Sequence, residues 1–334
     1  MILKNRNLKN DILVIAEIGI NHNGDFDLCM EMIKQAIKSG ADAVKLQSIN
    51  PKHSYMENTK SFKIFKNKNF DIHQLLKIQK YCQRNKIIFF TTPGDIETLE
   101  FLKPLKLDIF KVSSGLFTNT PLIIEILKQK KPIILSTGMA TIYEIDYICN
   151  LVKKTIGNNF ALLKCTASYP CDDSDVNLLG IKSLKKRYDC IIGYSDHTID
   201  DLAVISAINQ GATVIEKHFT IDKKIKGGDN SMSMIPKDFK NMVTKIRRIE
   251  KMLGSKTLSP TKSEISERKK RYRFLVSLNS LKKGEYINSK NINMKRIYKF
   301  KKEYIPAIDF LKFNKKKLSK NVPKNTILKA SFFK

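Results

Sequence analysis

The chain has 334 residues, 42% of them hydrophobic and 28% charged, which is the balance of a globular protein with a buried core and excludes wholesale disorder. No apolar run approaches the roughly 20 residues needed to span a bilayer. The 61 basic and 32 acidic residues leave a net charge of +29. Lysine dominates that excess, whereas bidentate phosphate and base recognition favours arginine, so no specific nucleic-acid partner is expected.

The start, Met1 to Asn10, is basic, but the short apolar stretch after it carries Asp11 and Glu17. That is not a signal peptide, and a cytoplasmic location is expected. From Leu13 onward, short apolar runs alternate with amphipathic stretches. The runs are Leu13–Ile18, Ala43–Gln47, Ile87–Thr91, Ile109–Val112, Ile133–Ser136, Ala161–Lys164, Cys190–Gly193 and Val214–His218. Nearly continuous and β-branched or aromatic, they read as strands buried on both faces. Helical patterns separate them: Leu28–Lys38, Ile72–Arg84, Ile96–Leu102, Pro121–Gln129, Ile142–Lys154, Leu179–Arg187, Leu202–Gln210 and Phe239–Leu253. Eight strand–helix units in about 250 residues predict a TIM (β/α)8 barrel over residues 1–253. A doubly wound sheet is the alternative, but no GxGxxG follows any strand.

Residues 254–270, GSKTLSPTKSEISERKK, have little to bury and read as a linker with one short helix. Residues 271–334 follow as a small β-rich domain. It holds 18 basic and 3 acidic residues, so a polyanion would bind there if anywhere. The six cysteines show no CxxC and no zinc spacing, and are expected to be reduced and mostly buried.

In a TIM barrel the chemistry stands at the carboxyl ends of the strands. Those ends carry Glu17; Lys45 and Gln47; Thr91 and Thr92; Lys111, Ser113 and Ser114; Ser136 and Thr137; Lys164, Thr166 and Tyr169; Ser195, Asp196 and His197; and Glu216, Lys217 and His218. Lys45, Lys111 and Lys164, with the hydroxyls, suit a phosphorylated substrate. His197 and His218, on adjacent strands, suit a divalent metal of the manganese, iron or zinc type with water and substrate completing its sphere.

The segments IAEIGINHNGD (15–25), GADAVKLQ (40–47), FFTTPGD (89–95), KVSSG (111–115), PIILSTGMA (132–140), LLKCTASYP (162–170), IGYSDHT (192–198), GATVIEKHFT (211–220) and KGGDNSMSMIP (226–236) occur in order. Together they resemble the N-acetylneuraminate (sialic acid) synthases and related nonulosonate synthases. LVSLNSLKKGEYINSKNINMKRI (275–297) resembles the antifreeze-like (SAF) domain that ends those enzymes. The resemblance implies condensation of phosphoenolpyruvate with an open-chain 2-acetamido sugar such as N-acetylmannosamine, releasing phosphate. It implies that Lys45, Thr92, Lys111, Ser114, Ser136 and Ser195 hold phosphoenolpyruvate. His197 and His218 would hold Mn2+, and Glu17, Tyr169 and Asp229 would meet the sugar. Glu17, Lys45, His197 and His218 would be catalytic. Arg296 matches an arginine that reaches into the partner's site in a domain-swapped homodimer.

The chain departs from the family pattern at TPGD for TPFD, at Gly227-Gly228-Asp229-Asn230 for GPDH, at Ala167, and at Ile297-Tyr298 for Pro-Gly. Legionaminate or pseudaminate synthesis is the alternative within the family. Outside it stand a 3-deoxyoctulosonate 8-phosphate-type synthase, a Schiff-base aldolase using Lys164 or Lys111, and a scaffold whose basic tail binds RNA or lipid.

Overall fold

The computed structural model describes residues 2–3, 6–8 and 11–334. It divides into two compact units, Met1–Gly254 and Ser255–Lys334.

In the first unit the apolar runs are strands: β1 (Leu13–Gly19), β2 (Ala43–Ser48), β3 (Ile88–Pro93), β4 (Phe110–Val112), β5 (Ile133–Ser136), β6 (Phe160–Cys165), β7 (Ile191–Asp196) and β8 (Val214–His218). All are parallel, in the order β3-β2-β1-β8-β7-β6-β5-β4. β3 and β4 lie beside each other and bring the sheet round to a TIM barrel, with no hydrogen-bonded ladder between them among the described residues. The connecting helices are α1 (Phe26–Lys38), α2 (Ile72–Arg84), α3 (Ile96–Phe101), α4 (Thr120–Lys128), α5 (Ile142–Ile156), α6 (Leu179–Arg187), α7 (Leu202–Asn209) and α8 (Pro236–Leu253). Their starts follow from capping chemistry. Asp71 and Gln74 form a capping box on α2, Thr141 and Glu144 another on α5, and Pro236 opens α8. No helix among the described residues is long and apolar enough to cross a membrane.

Several strands run past the apolar runs. β3 reaches Pro93, past Thr91, and β7 reaches Asp196, past Gly193, so Thr92, Ser195 and Asp196 stand within the strands themselves. Their polar side chains fail an apolarity test, yet their backbones stay paired: Gln47 partners Thr92, and Asp196 partners Lys217. The ladders also set the floor of the barrel mouth, with His218 beside Glu17 and Glu17 beside Lys45.

Two departures from the family pattern have steric causes. A Cβ at Gly94 would come within 2.8 Å of the Ile49 side chain, so Ile49 fills the space a larger residue 94 would need. Gly228 has φ +57° and packs against Asn21. Proline, fixed near −65°, cannot adopt that backbone, so the loop that presents Asp229 takes its own path here.

The second unit begins with α9 (Lys262–Arg271), opened by a capping box of Thr261 and Glu264. β9 (Arg273–Ser277) pairs antiparallel with β10 (Ile292–Arg296), and isolated antiparallel bridges such as Val276–Ile327 and Leu281–Val322 extend the β character. Its own core gathers Leu275, Leu281, Ile287, Ile292, Leu318, Val322 and Leu328.

Candidate active site

Side chains alternate along a strand, so Glu17 on β1, Lys45 on β2, Lys111 on β4 and Glu216 on β8 meet inside the barrel mouth. All four are buried; Glu216, the most exposed, is only 4% accessible. Lys45 Nζ lies 2.7 Å from Glu17 Oε2 and 3.8 Å from Glu216 Oε2. Lys111 Nζ lies 3.4 Å from Glu216 Oε1. Hydroxyls surround the four. Lys111 donates to Ser136 Oγ (2.8 Å), Ser195 Oγ donates to Glu216 Oε1 (3.1 Å), and Thr92 Oγ1 is 3.4 Å from Lys45 Nζ. Gln47 Nε2 donates to Glu17 Oε1 at 2.9 Å.

The two carboxyls are not equivalent. Burial pushes Glu17 up to about 7, against the pull of Lys45 and with Glu216 adding to the rise. Burial also acts to raise Glu216, but Lys111 and Lys45 outweigh it and hold that carboxyl at about 2. For Lys45, the two carboxylates overcome burial and raise its pKa. Burial lowers Lys111. Two ammonium groups therefore flank one fully ionised carboxylate, while Glu17 titrates around neutrality. Buried charge demands a partner, and the surplus here is positive, as an anion site requires.

The imidazoles stand beside this pocket. His197 follows β7 and His218 ends β8, with ring centroids 5.3 Å apart. The Tyr169 ring lies 4.1 Å from that of His197 and 5.8 Å from that of His218. His197 Nδ1 is 2.6 Å from the Thr166 carbonyl. That contact assigns the proton to Nδ1 and leaves Nε2 with a free lone pair, the arrangement that metal-binding histidines use. Burial lowers the pKa of His218, favouring the neutral ring. Its Nδ1 has no hydrogen-bond partner and sits 3.6 Å from Asp229 Oδ2, too far for a hydrogen bond. Asp229 is held by its backbone N–H donating to Asn21 Oδ1 at 2.7 Å. The donor set of two imidazoles and a nearby carboxylate fits a divalent ion.

Ser114 lies to one side, donating to Cys165 Sγ at 3.3 Å and accepting from Gly138 N–H at 3.1 Å. Arg296 is exposed at the end of β10 in the second unit.

The expectation that three lysines converge needs correction: two do. Cys165 shares the pocket with Ser114 and His197, so Lys164, one residue earlier, leaves β6 on the other face. It donates to Cys165 O and Thr166 Oγ1, and faces the helix-side residues Met139, Leu184 and Lys186 across a cavity that Cys165 also borders. Conversely, Glu216 and Gln47 received no role from the sequence, although both touch the central charges. The available signal for Glu216 was its position two residues before His218, on the same strand face. Cys165, which reads as an ordinary buried thiol in sequence, lines the same pocket.

Residues 32–258 match the family model described as the NeuB family. The N,N'-diacetyllegionaminic acid synthase of Campylobacter jejuni is 38% identical over 85% of this chain and 90% of its own length. The pseudaminic acid synthase of the same species is 33% identical, covering 89% and 90%. Among solved structures, the N-acetylneuraminic acid synthetase of Leptospira borgpetersenii superposes with a TM-score of 0.76 at 35% identity, over 80% of this chain and 95% of that one.

Proposed function

The chain belongs to the NeuB family, and from that premise we propose that it condenses phosphoenolpyruvate with an open-chain 2-acetamido sugar to a nonulosonic acid and phosphate. The enzyme class, a sialic- or nonulosonic-acid synthase-type condensation, follows from the family. The acceptor and the assignment of roles are our reading. The observation that carries it is the buried Lys45–Glu216–Lys111 cluster, cationic in surplus, beside the His197/His218 pair.

In this reading Lys45 and Lys111 pair with the phosphate and carboxylate of phosphoenolpyruvate, and Thr92, Ser114, Ser136 and Ser195 add hydroxyl donors. Glu216 keeps both lysines protonated while its own charge leaves the pocket positive. His197 and His218 hold a divalent ion, Mn2+ in our assignment, which supplies Lewis-acid polarisation of the sugar aldehyde when bound. Tyr169 and Asp229, beside the two imidazoles, orient the sugar.

The enol carbon C3 forms the new bond to the aldehyde carbon while the C=O electron pair moves onto the aldehyde oxygen, which takes up a proton to become the product hydroxyl, and positive charge develops at C2. A water adds at C2, and the C2–O bond to phosphate breaks with the electron pair leaving on phosphate. Glu17, titrating near 7, accepts the proton of that water or of a sugar hydroxyl. Lys45, 2.7 Å away, stabilises the carboxylate between turnovers.

We assign residues 1–253 to the catalytic barrel, 254–270 to a linker and 271–334 to an antifreeze-like (SAF) domain. Arg296 of that domain completes the partner's site in a domain-swapped homodimer, and the enzyme acts in the cytoplasm. The 38% identity to a diacetyllegionaminic acid synthase favours a diacetamido acceptor as the second reading. Turnover of phosphoenolpyruvate with a panel of mono- and diacetamido hexoses, followed by phosphate release, tests both. Phosphate release with none of them, or pyruvate trapped on a lysine by borohydride, overturns the proposal.

A further inference from the structure

Outside the barrel mouth's histidine pair, one cluster among the described residues brings three metal-binding side chains together: His53, Asp95 and Glu97, with one donor atom from each all within 4.8 Å of one another. His53 belongs to a short helix, Pro51–Ser54, in the long segment between β2 and α2. Asp95 and Glu97 stand at the start of α3, after β3. We propose that these three side chains form a second divalent-cation site, which ties the β2–α2 segment to the start of α3 beside the barrel mouth.

The geometry accommodates a shared ion. His53 Nδ1 is 3.7 Å from Asp95 Oδ1, too long for a hydrogen bond. Two donors each about 2.0–2.2 Å from one ion stand about 3–4 Å apart. Asp95 is also oriented in advance. Its carboxylate is buried, accepts from Thr98 N–H at 2.7 Å through Oδ1, and accepts from Ser54 Oγ at 3.0 Å through Oδ2. Those are the supporting hydrogen bonds that a ligating carboxylate takes from its surroundings. A carboxylate has about four lone-pair positions, so capacity for an ion remains.

One imidazole and two carboxylates select first-row divalent ions such as Zn2+ or Mn2+. Both exposed ligands border solvent, and a cavity of about 620 Å³ lined by His53, Glu97, Asn50 and Asn69 gives an ion and its waters access. The contrary arrangement is ordinary charge balance. Lys52 and Lys66 line the same cavity and could neutralise the two carboxylates unaided, in which case no ion binds.

The site is independent of the proposed catalytic ion, whose ligands come from β7 and β8, so the two can be separated. Tag-free full-length protein is titrated with Zn2+ by calorimetry, with metal content counted after desalting. Wild type should bind two ions per chain. The His53→Ala and Glu97→Gln variants, altered at exposed positions where folding is not at stake, should each lose one ion or about tenfold or more in the affinity of one class. The His197→Ala/His218→Ala double variant should keep the outlying ion. Zn2+ should also slow proteolysis within residues 51–68 in wild type but not in His53→Ala. Binding that is unchanged in both His53→Ala and Glu97→Gln, or loss of every ion in the His197/His218 double variant, overturns the proposal. Failure of the catalytic reading alone would instead appear as a normal outlying ion in an enzyme with no synthase turnover.

Discussion

Lys217 offers a sharp test of how the turn that carries His197 is held. It sits on β8 between Glu216 and His218, so its side chain leaves the strand on the opposite face, into the layer between barrel and helices. It is fully buried, and its Nζ donates to Asp196 Oδ2 at 2.5 Å, to Asp200 O at 2.9 Å and to Thr198 O. Asp196 also accepts from Tyr194 OH at 2.9 Å and from Thr198 N–H at 3.1 Å. The ammonium thus clamps the turn that carries His197. Replacing Lys217 by Met keeps the volume and removes the charge, leaving Asp196 buried and short of its partner. Breaking one side of a buried pair costs about 3–5 kcal/mol. For a barrel of this size each kcal/mol is worth about 2–4 °C in Tm, so Lys217→Met should lower Tm by about 6–20 °C in a circular-dichroism melt of the full chain. Adding Asp196→Asn removes the stranded charge and should restore part of the loss. Lys217→Met should also weaken metal binding at the barrel mouth, measured by calorimetry, because His197 loses its support. A Tm change under about 2 °C, or a double variant less stable than the sum of the single changes, would refute the clamp.

Three further outcomes are expected. His218→Ala should lower turnover by orders of magnitude with an unchanged circular-dichroism spectrum, and Mn2+ should restore chelated wild type; full activity in exhaustive chelator rules out the metal role. Because the folded-state pKa of Glu17, about 7, lies above its ordinary 4.5, its contribution to stability is present below pH 4.5 and is lost as pH rises through 7. The Tm difference between wild type and Glu17→Gln should therefore shift in favour of the variant between pH 5 and 8, and a difference that stays flat contradicts the raised pKa. Arg296→Ala should cost about 1.5–3 kcal/mol in kcat/KM for the sugar while sparing phosphoenolpyruvate affinity. Mixing it with His218→Ala chains should recover activity in heterodimers, and no recovery despite confirmed heterodimers removes the swapped arrangement.

The barrel was legible in the amino-acid sequence because strands buried on both faces must be apolar almost throughout, and eight such runs separated by amphipathic helices leave few topologies. The ordered motifs carried the family, and the polar residues that interrupt the runs marked the mouth: Glu17, Lys45, Lys111, Ser136, Ser195 and His218 do meet there or beside it. Which polar residues meet was decided by tertiary structure. Lys164 and Lys217 stand at strand ends as prominently as Lys45, yet each points out of the barrel, because one residue of register reverses a strand's faces. The sequence marks Glu216 only as a strand-end residue two positions before His218; its place between two lysines, and a pKa shifted opposite to that of Glu17, exist only once four strands bring their charges into one dry space. The same holds for His53 and Asp95, separated by most of a strand–helix unit in the chain and joined only by the fold. Pattern along a chain reports which side chains must be hidden from water, whereas charge, protonation and ligation depend on distances between strands, and those arise only when the barrel closes.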